Sequence, residues 1–145
     1  MTILFFDTSA LVKRYAEEPG TQRVDELIDG DERVLISSLS IIETVSAFRR
    51  KYNRDQLTAE RMNTLLAAFF REALDDFVIV PLEESVLQFS FDLVLEHDLR
   101  TLDSLQLSAA LSLQTDDDPV RFVSADAELV AAARDNGIEA ENPAV

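Results

Sequence analysis

The apolar run Ile3-Leu4-Phe5-Phe6, cut off by a carboxylate and two hydroxyls in Asp7-Thr8-Ser9, limits what this chain can become more than any other stretch. A short strand with no polar alternation is one buried on both faces, as in a parallel sheet covered by helices. Ligands of such sheets sit in the crevice beyond the carboxyl ends of the strands, which makes Asp7 the first candidate for chemistry. Asp, Thr and Ser are equally good helix caps, and Ala10-Leu11-Val12 reads as a first helical turn. At this point a structural role accounts for Asp7 as well as a chemical one does.

The rest of the chain repeats the pattern. A short helix from Ser9 to Ala16 is broken by Glu18-Pro19-Gly20, and a second helix spans Thr21 to Ile28. Val34-Leu35-Ile36 is a second strand, followed by a helix with Ile41, Ile42, Val45 and Phe48 at helical spacing. An amphipathic helix from Thr58 to Asp75 presents Leu65, Leu66, Phe69, Phe70 and Leu74, and Phe77 to Pro81 is a third strand. Glu83 to Glu96 is helical. Leu102 to Leu113 is apolar almost all round except for Ser104, Ser108 and Ser112, the signature of a buried helix with a stripe of small residues. Arg121 to Ser124 is a fourth strand, Ala127 to Arg134 a helix, and Gly137 to Ala140 an edge strand. Strands alternating with helices imply right-handed crossovers and a three-layer α/β/α domain with a mostly parallel sheet.

At 145 residues the chain fits one domain, residues 1–145, by the prior of roughly 150 residues per domain. With no cysteine, a metal must be held by oxygen ligands or by His97, the single histidine, which points to hard cations. His97 itself reads as an exposed residue near a helix end, not a base. The N-terminal apolar run lacks a basic flank and is too short for a signal or membrane span, so a cytoplasmic protein is expected. Against 28 acidic residues stand 13 basic ones, a formal charge of −15. A nucleic-acid substrate would therefore be met through bridging cations, a local cluster such as Arg49-Arg50-Lys51, or a basic partner. The run Asp116-Asp117-Asp118 reads as a solvated loop.

Four acids, Asp7, Glu43, Asp103 and Asp126, stand at strand ends or helix starts. Each has a structural explanation. Ser40-Ile41-Ile42-Glu43 has capping-box spacing, Asp103 suits a first helical turn, and Asp126 suits a cap. Those explanations leave open why carboxylates recur at such places, where converging like charges oppose folding. Mg²⁺ or Mn²⁺ would remove that penalty, and two ions about 3.5–4 Å apart would suit a phosphodiester displacement. Other acid-bearing α/β sites fail on a required residue. A haloacid-dehalogenase-type phosphatase needs Asp where Ser9 stands, a receiver domain needs a late Lys that is missing, and a von Willebrand A-type site needs Ser where Leu11 stands.

The segments Phe6-Asp7-Thr8-Ser9-Ala10-Leu11-Val12-Lys13, Ser40-Ile41-Ile42-Glu43, Leu99 to Leu107 with Asp103, and Phe122-Val123-Ser124-Ala125-Asp126 resemble, in order and spacing, the PIN-domain ribonucleases of the VapC toxin type. The resemblance implies an Mg²⁺- or Mn²⁺-dependent endoribonuclease in which Asp7, Glu43, Asp103 and Asp126 bind the metal and carry catalysis. It implies supporting hydrogen bonds from Ser9 and Ser124, and Arg100 is a candidate contact to substrate phosphate alongside a plain surface role. Position 124 is more often Thr in that family, and position 98 is often Gly where this chain has Asp98. The implied partners are an RNA substrate and a cognate basic, VapB-like antitoxin, with a homodimer or a toxin–antitoxin hetero-oligomer as the assembly and no membrane. Such an antitoxin would lie over helices near Phe48, Phe69 and Phe70 and set an Arg or Lys against the acids; Phe69, Phe70, Phe89 and Phe91 could also form a dimer face. The competing expectation is a catalytically silent PIN-like binding module.

Overall fold

The computed structural model describes all 145 residues. Five short strands, β1 (Ile3–Phe6), β2 (Arg33–Ser37), β3 (Val78–Val80), β4 (Val120–Val123) and β5 (Glu139–Glu141), pair in parallel throughout, in the order β3-β2-β1-β4-β5. The sheet expected to be mostly parallel is wholly so. Seven helices connect them: α1 (Thr8–Leu11, continued as a 3₁₀ turn to Arg14), α2 (Thr21–Ile28), α3 (Ser38–Asn53), α4 (Ala59–Asp75), α5 (Glu84–His97), α6 (Thr101–Leu113) and α7 (Ala127–Asp135).

The two-residue period of a strand sends alternate side chains of β1 into opposite layers. Leu4 and Phe6 join Ile36 and Val123 beneath α1 to α4, where Leu11, Val24, Phe48 and Phe69 complete one core. Ile3 and Phe5 join Leu35 and Phe122 beneath α5 to α7, with Leu93, Leu107 and Leu129. Both faces of β1 are thus dry, which is why its sequence shows no alternation. The chain builds outward from β1 through β2 to β3, then returns to lay β4 against the other side of β1. The reversal leaves a crevice at the carboxyl ends of β1 and β4, where a doubly wound sheet offers its natural binding site.

Several local expectations are corrected. Helix α3 begins earlier than the Ser40–Glu43 spacing indicated, because Ser37, ending β2, is itself the N-cap and accepts the Leu39 N–H at 3.1 Å. Ser40 is therefore inside the helix, and Glu43 has no capping role. The buried stripe of α3 runs through Ser40, Thr44 and Phe48, while Ile42 is exposed. On α4 the buried stripe is Leu65, Phe69 and Ala73, and Leu74 is 74% exposed. Phe48 and Phe69 are fully buried, so neither can form a partner face; Phe70, Phe89 and Phe91 are exposed. Ser108 on α6 donates its hydroxyl to the Val86 carbonyl of α5 at 2.7 Å, the close helix contact that a small side chain permits. His97 is only partly exposed, and its Nε2 lies 3.1 Å from Asn136 Nδ2 at the end of α7. Asp98 caps α5 with φ 53°, a left-handed conformation that Asp tolerates and Gly adopts freely, so the residue in place of Gly keeps the turn.

Candidate active site

Asp7 ends β1 and caps α1, accepting the Ala10 N–H on Oδ1 at 3.2 Å. The structural and chemical roles weighed from sequence thus coexist in one carboxylate. Ser9 donates to the same oxygen at 2.7 Å, and Ser124, at the end of β4, donates to Oδ2 at 2.9 Å. The two serine hydroxyls lie 3.4 Å apart, and each also receives a backbone N–H, Ala125 to Ser9 and Asp126 to Ser124. Three donors, two of them braced by the backbone in turn, therefore hold a buried carboxylate in one orientation. Burial is nevertheless the largest influence, and it pushes the Asp7 carboxyl up to about 6, with the hydrogen bonds opposing it and Asp103 adding a smaller upward push.

Glu43, Asp103 and Asp126 come from α3, α6 and the N-cap of α7, and all are partly exposed to one open cavity of about 660 Å³ that Asp7 also lines. Asp126 uses Oδ1 to accept the N–H groups of Glu128 and Leu129 at 2.9 and 3.2 Å. Oδ1 is thereby committed to the helix, as expected of a cap. Asp103 lies in the first turn of α6, and its carboxyl is held above the usual range by burial first, then by the charges of Asp126 and Glu43, with Arg100 opposing. The acids thus feel one another across the cavity.

Glu43 is gripped differently. Its Oε1 accepts the Thr8 hydroxyl at 3.0 Å and the Gln106 amide Nε2 at 2.8 Å. Neither Thr8 nor Gln106 stands out by residue type. The available signal for Gln106 was its position, an amide one turn after Asp103 in a helix whose other interior polar residues are small serines. Arg100 lines the cavity with an exposed side chain, its Nε 3.6 Å from Asp103. Of the cluster Arg49-Arg50-Lys51, only Arg50 reaches the cavity; Lys51 pairs with Glu18 at 2.9 Å and Arg49 lies over the Tyr52 ring. The triple Asp116-Asp117-Asp118 takes no part in this crevice and partners the N-terminal amine instead.

The candidate ligands are carboxylate oxygens, which magnesium and manganese prefer. As they stand, no three of these acids converge tightly enough to enclose one ion. The set fits an ion that takes a few carboxylates and completes its shell with water and substrate phosphate oxygens.

The PIN domain family model matches residues 4–135 of the chain. Among curated proteins none matches this sequence. FitAcB from Neisseria gonorrhoeae superposes with a TM-score of 0.72 at 17% identity, covering 97% of this chain and 98% of that one. A toxin–antitoxin complex from Klebsiella pneumoniae gives 0.66 at 17% identity over 97% of each chain. VapBC2 from Rickettsia felis, bound to a DNA fragment from their promoter, gives 0.67 at 16% identity over 98% of each chain. At these identities the likeness speaks for the fold.

Proposed function

Because the chain belongs to the PIN domain family, we propose that it is a metal-dependent endoribonuclease, the toxin of a toxin–antitoxin pair, with Asp7, Glu43, Asp103 and Asp126 as its metal-binding and catalytic residues. The observation that carries this reading is that four carboxylates, from four separate elements, line one cavity at the switch point of the sheet. Bound Mg²⁺ or Mn²⁺ would offset their mutual repulsion, stabilise charge on the phosphate and supply a nucleophilic water at neutral pH.

The chain's own residues account for the rest. Ser9 and Ser124 fix the direction of both Asp7 oxygens, and the helix cap fixes Asp126. Asp7 must be ionised to serve as a ligand, so its raised pKa makes cation binding weaken below about pH 6. Arg50 and Arg100 supply positive charge to the cavity of a strongly acidic protein, where each can hold a phosphate oxygen of the RNA backbone.

A basic antitoxin fits the same cavity, since an arginine fork can pair two carboxylates and take the space of metal and phosphate. Leu102 is an exposed apolar side chain that lines the cavity beside Asp103, and Phe70 is exposed on α4. With Phe48 and Phe69 buried, Phe70 remains of the expected surface, and Leu102 is the apolar side chain at the cavity that an antitoxin segment would cover. No helix is long and apolar enough to cross a membrane.

The deciding assay is cleavage of a structured RNA in Mn²⁺ or Mg²⁺ against EDTA, comparing the wild type with Asp7→Asn. Metal-dependent cleavage lost in the variant is the expected result. Equal cleavage in every arm would mean a contaminating nuclease, and none across a broad RNA panel would favour the silent binding module.

A further inference from the structure

Gln106 is buried, one turn beyond Asp103 on α6, between Leu105 and Leu107. Its Nε2 faces three oxygens: Glu43 Oε1 at 2.8 Å, Ser40 Oγ at 2.9 Å and Thr8 Oγ1 at 3.3 Å. A carboxylate oxygen can only accept, which fixes the amide with its nitrogen toward Glu43. At the other end of the amide, Oε1 is buried without a partner. An unpaired buried acceptor is a standing cost that an apolar residue would avoid, so the amide's contribution lies at its Nε2 end.

That end, with the Thr8 hydroxyl, saturates one oxygen of Glu43 and leaves Oε2 without a hydrogen bond inside the chain. Glu43 therefore enters the cavity with one oxygen committed and one free. Calcium takes about six to eight oxygens and often a bidentate carboxylate, whereas magnesium demands octahedral geometry at shorter distances with retained waters. We propose that Gln106 is a positioning residue which, by holding Glu43 Oε1 away from the cation, restricts Glu43 to a single ligating oxygen and so sets the site for small octahedral cations against calcium. The inference rests on the reading of the four acids as a metal site.

Calorimetric titration of the metal-free protein with MnCl₂ and with CaCl₂ tests it without reference to activity. Gln106→Met keeps the volume and removes the donor. Its Mn²⁺ affinity should fall about 10–100-fold, the usual effect of losing a partner behind a metal ligand, while Ca²⁺ binding is held or gains, narrowing the preference. On a Glu43→Gln background the same change should have no further effect, because it acts through that carboxylate. Unchanged affinities in Gln106→Met, equal weakening of both metals, or a full additive loss on the Glu43→Gln background would each overturn the proposal in favour of packing. If Gln106→Met does not fold, Gln106→Leu removes the same donor at similar volume, and an unchanged Mn²⁺/Ca²⁺ ratio there overturns it. A wild type that binds no Mn²⁺ defeats the metal-site reading itself, whereas a wild type that binds alongside an unaltered Gln106→Met defeats only the role of Gln106.

Discussion

Ser124 donates its hydroxyl to Oδ2 of Asp7 at 2.9 Å, tying the carboxyl ends of neighbouring strands β4 and β1 across 117 residues of sequence. The Ser124 oxygen in turn accepts the Asp126 N–H at 3.1 Å, so one side chain orients two of the acids. Ser124→Ala should lower Mn²⁺ affinity by about 10–100-fold, while Ser124→Thr, which keeps the hydroxyl, should stay near wild type. Isothermal titration of the three proteins measures this, and equal affinities would remove Ser124 from the site.

Asp7 sets a pH dependence of stability in the metal-free protein. Its folded pKa, about 6, lies above the ordinary 3.8, so the folded state binds its proton more tightly than the unfolded chain does. The resulting stability is fully present below about pH 4 and is lost as pH rises through about 6. Each tenfold difference in proton affinity between the two states is worth roughly 1.4 kcal/mol, which makes the whole effect up to about 3 kcal/mol. Asp7→Asn removes this titration. In EDTA at pH 7 the variant should melt at or above the wild-type temperature, and saturating Mn²⁺ should stabilise the wild type alone. Urea melts at pH 4, 5, 6 and 7 would count against this role for Asp7 if both proteins showed the same slope across the window.

Arg50 and Arg100 are the two cationic side chains lining the cavity. If each holds one phosphate of a single-stranded substrate, log kcat/KM should fall with log salt with a slope near −1.4, at about 0.7 per phosphate. Arg50→Gln and Arg100→Gln should each reduce the slope by about half at fixed Mn²⁺. A slope unmoved by either change means that the arginines are surface groups only.

The burial on α4 makes a sharp contrast between neighbouring apolar positions. Phe69 is fully buried and stacks edge-on with Tyr15 at 5.4 Å between ring centroids, whereas Leu74 is exposed. Phe69→Ala should cost about 3–5 kcal/mol and Leu74→Ala within about 0.5 kcal/mol. Denaturant midpoints at equal m-values give both numbers, and comparable losses would contradict the packing of this layer.

Local sequence determined the elements and their order. The unalternating run Ile3–Phe6 is apolar on both sides because both faces of β1 are covered, and that alone requires a sheet between helical layers. The acids were legible because a carboxylate at the end of a buried strand or helix start is costly without a compensating role. The family resemblance pointed to Ser9 and Ser124, both of which donate to Asp7, but spacing could not decide what stands behind Glu43. Glu43 fits a capping box by spacing, yet Ser37 starts the helix three residues earlier, since a cap is chosen by the geometry of the preceding strand. Gln106 reaches Glu43 and Thr8 only because β1, α3 and α6 meet at the switch point, bringing together residues 63 and 98 positions apart. Hydrogen bonds of a few ångströms between distant segments leave no periodic trace in a chain, so Thr8 and Gln106, the supports of Glu43, were visible only in the fold.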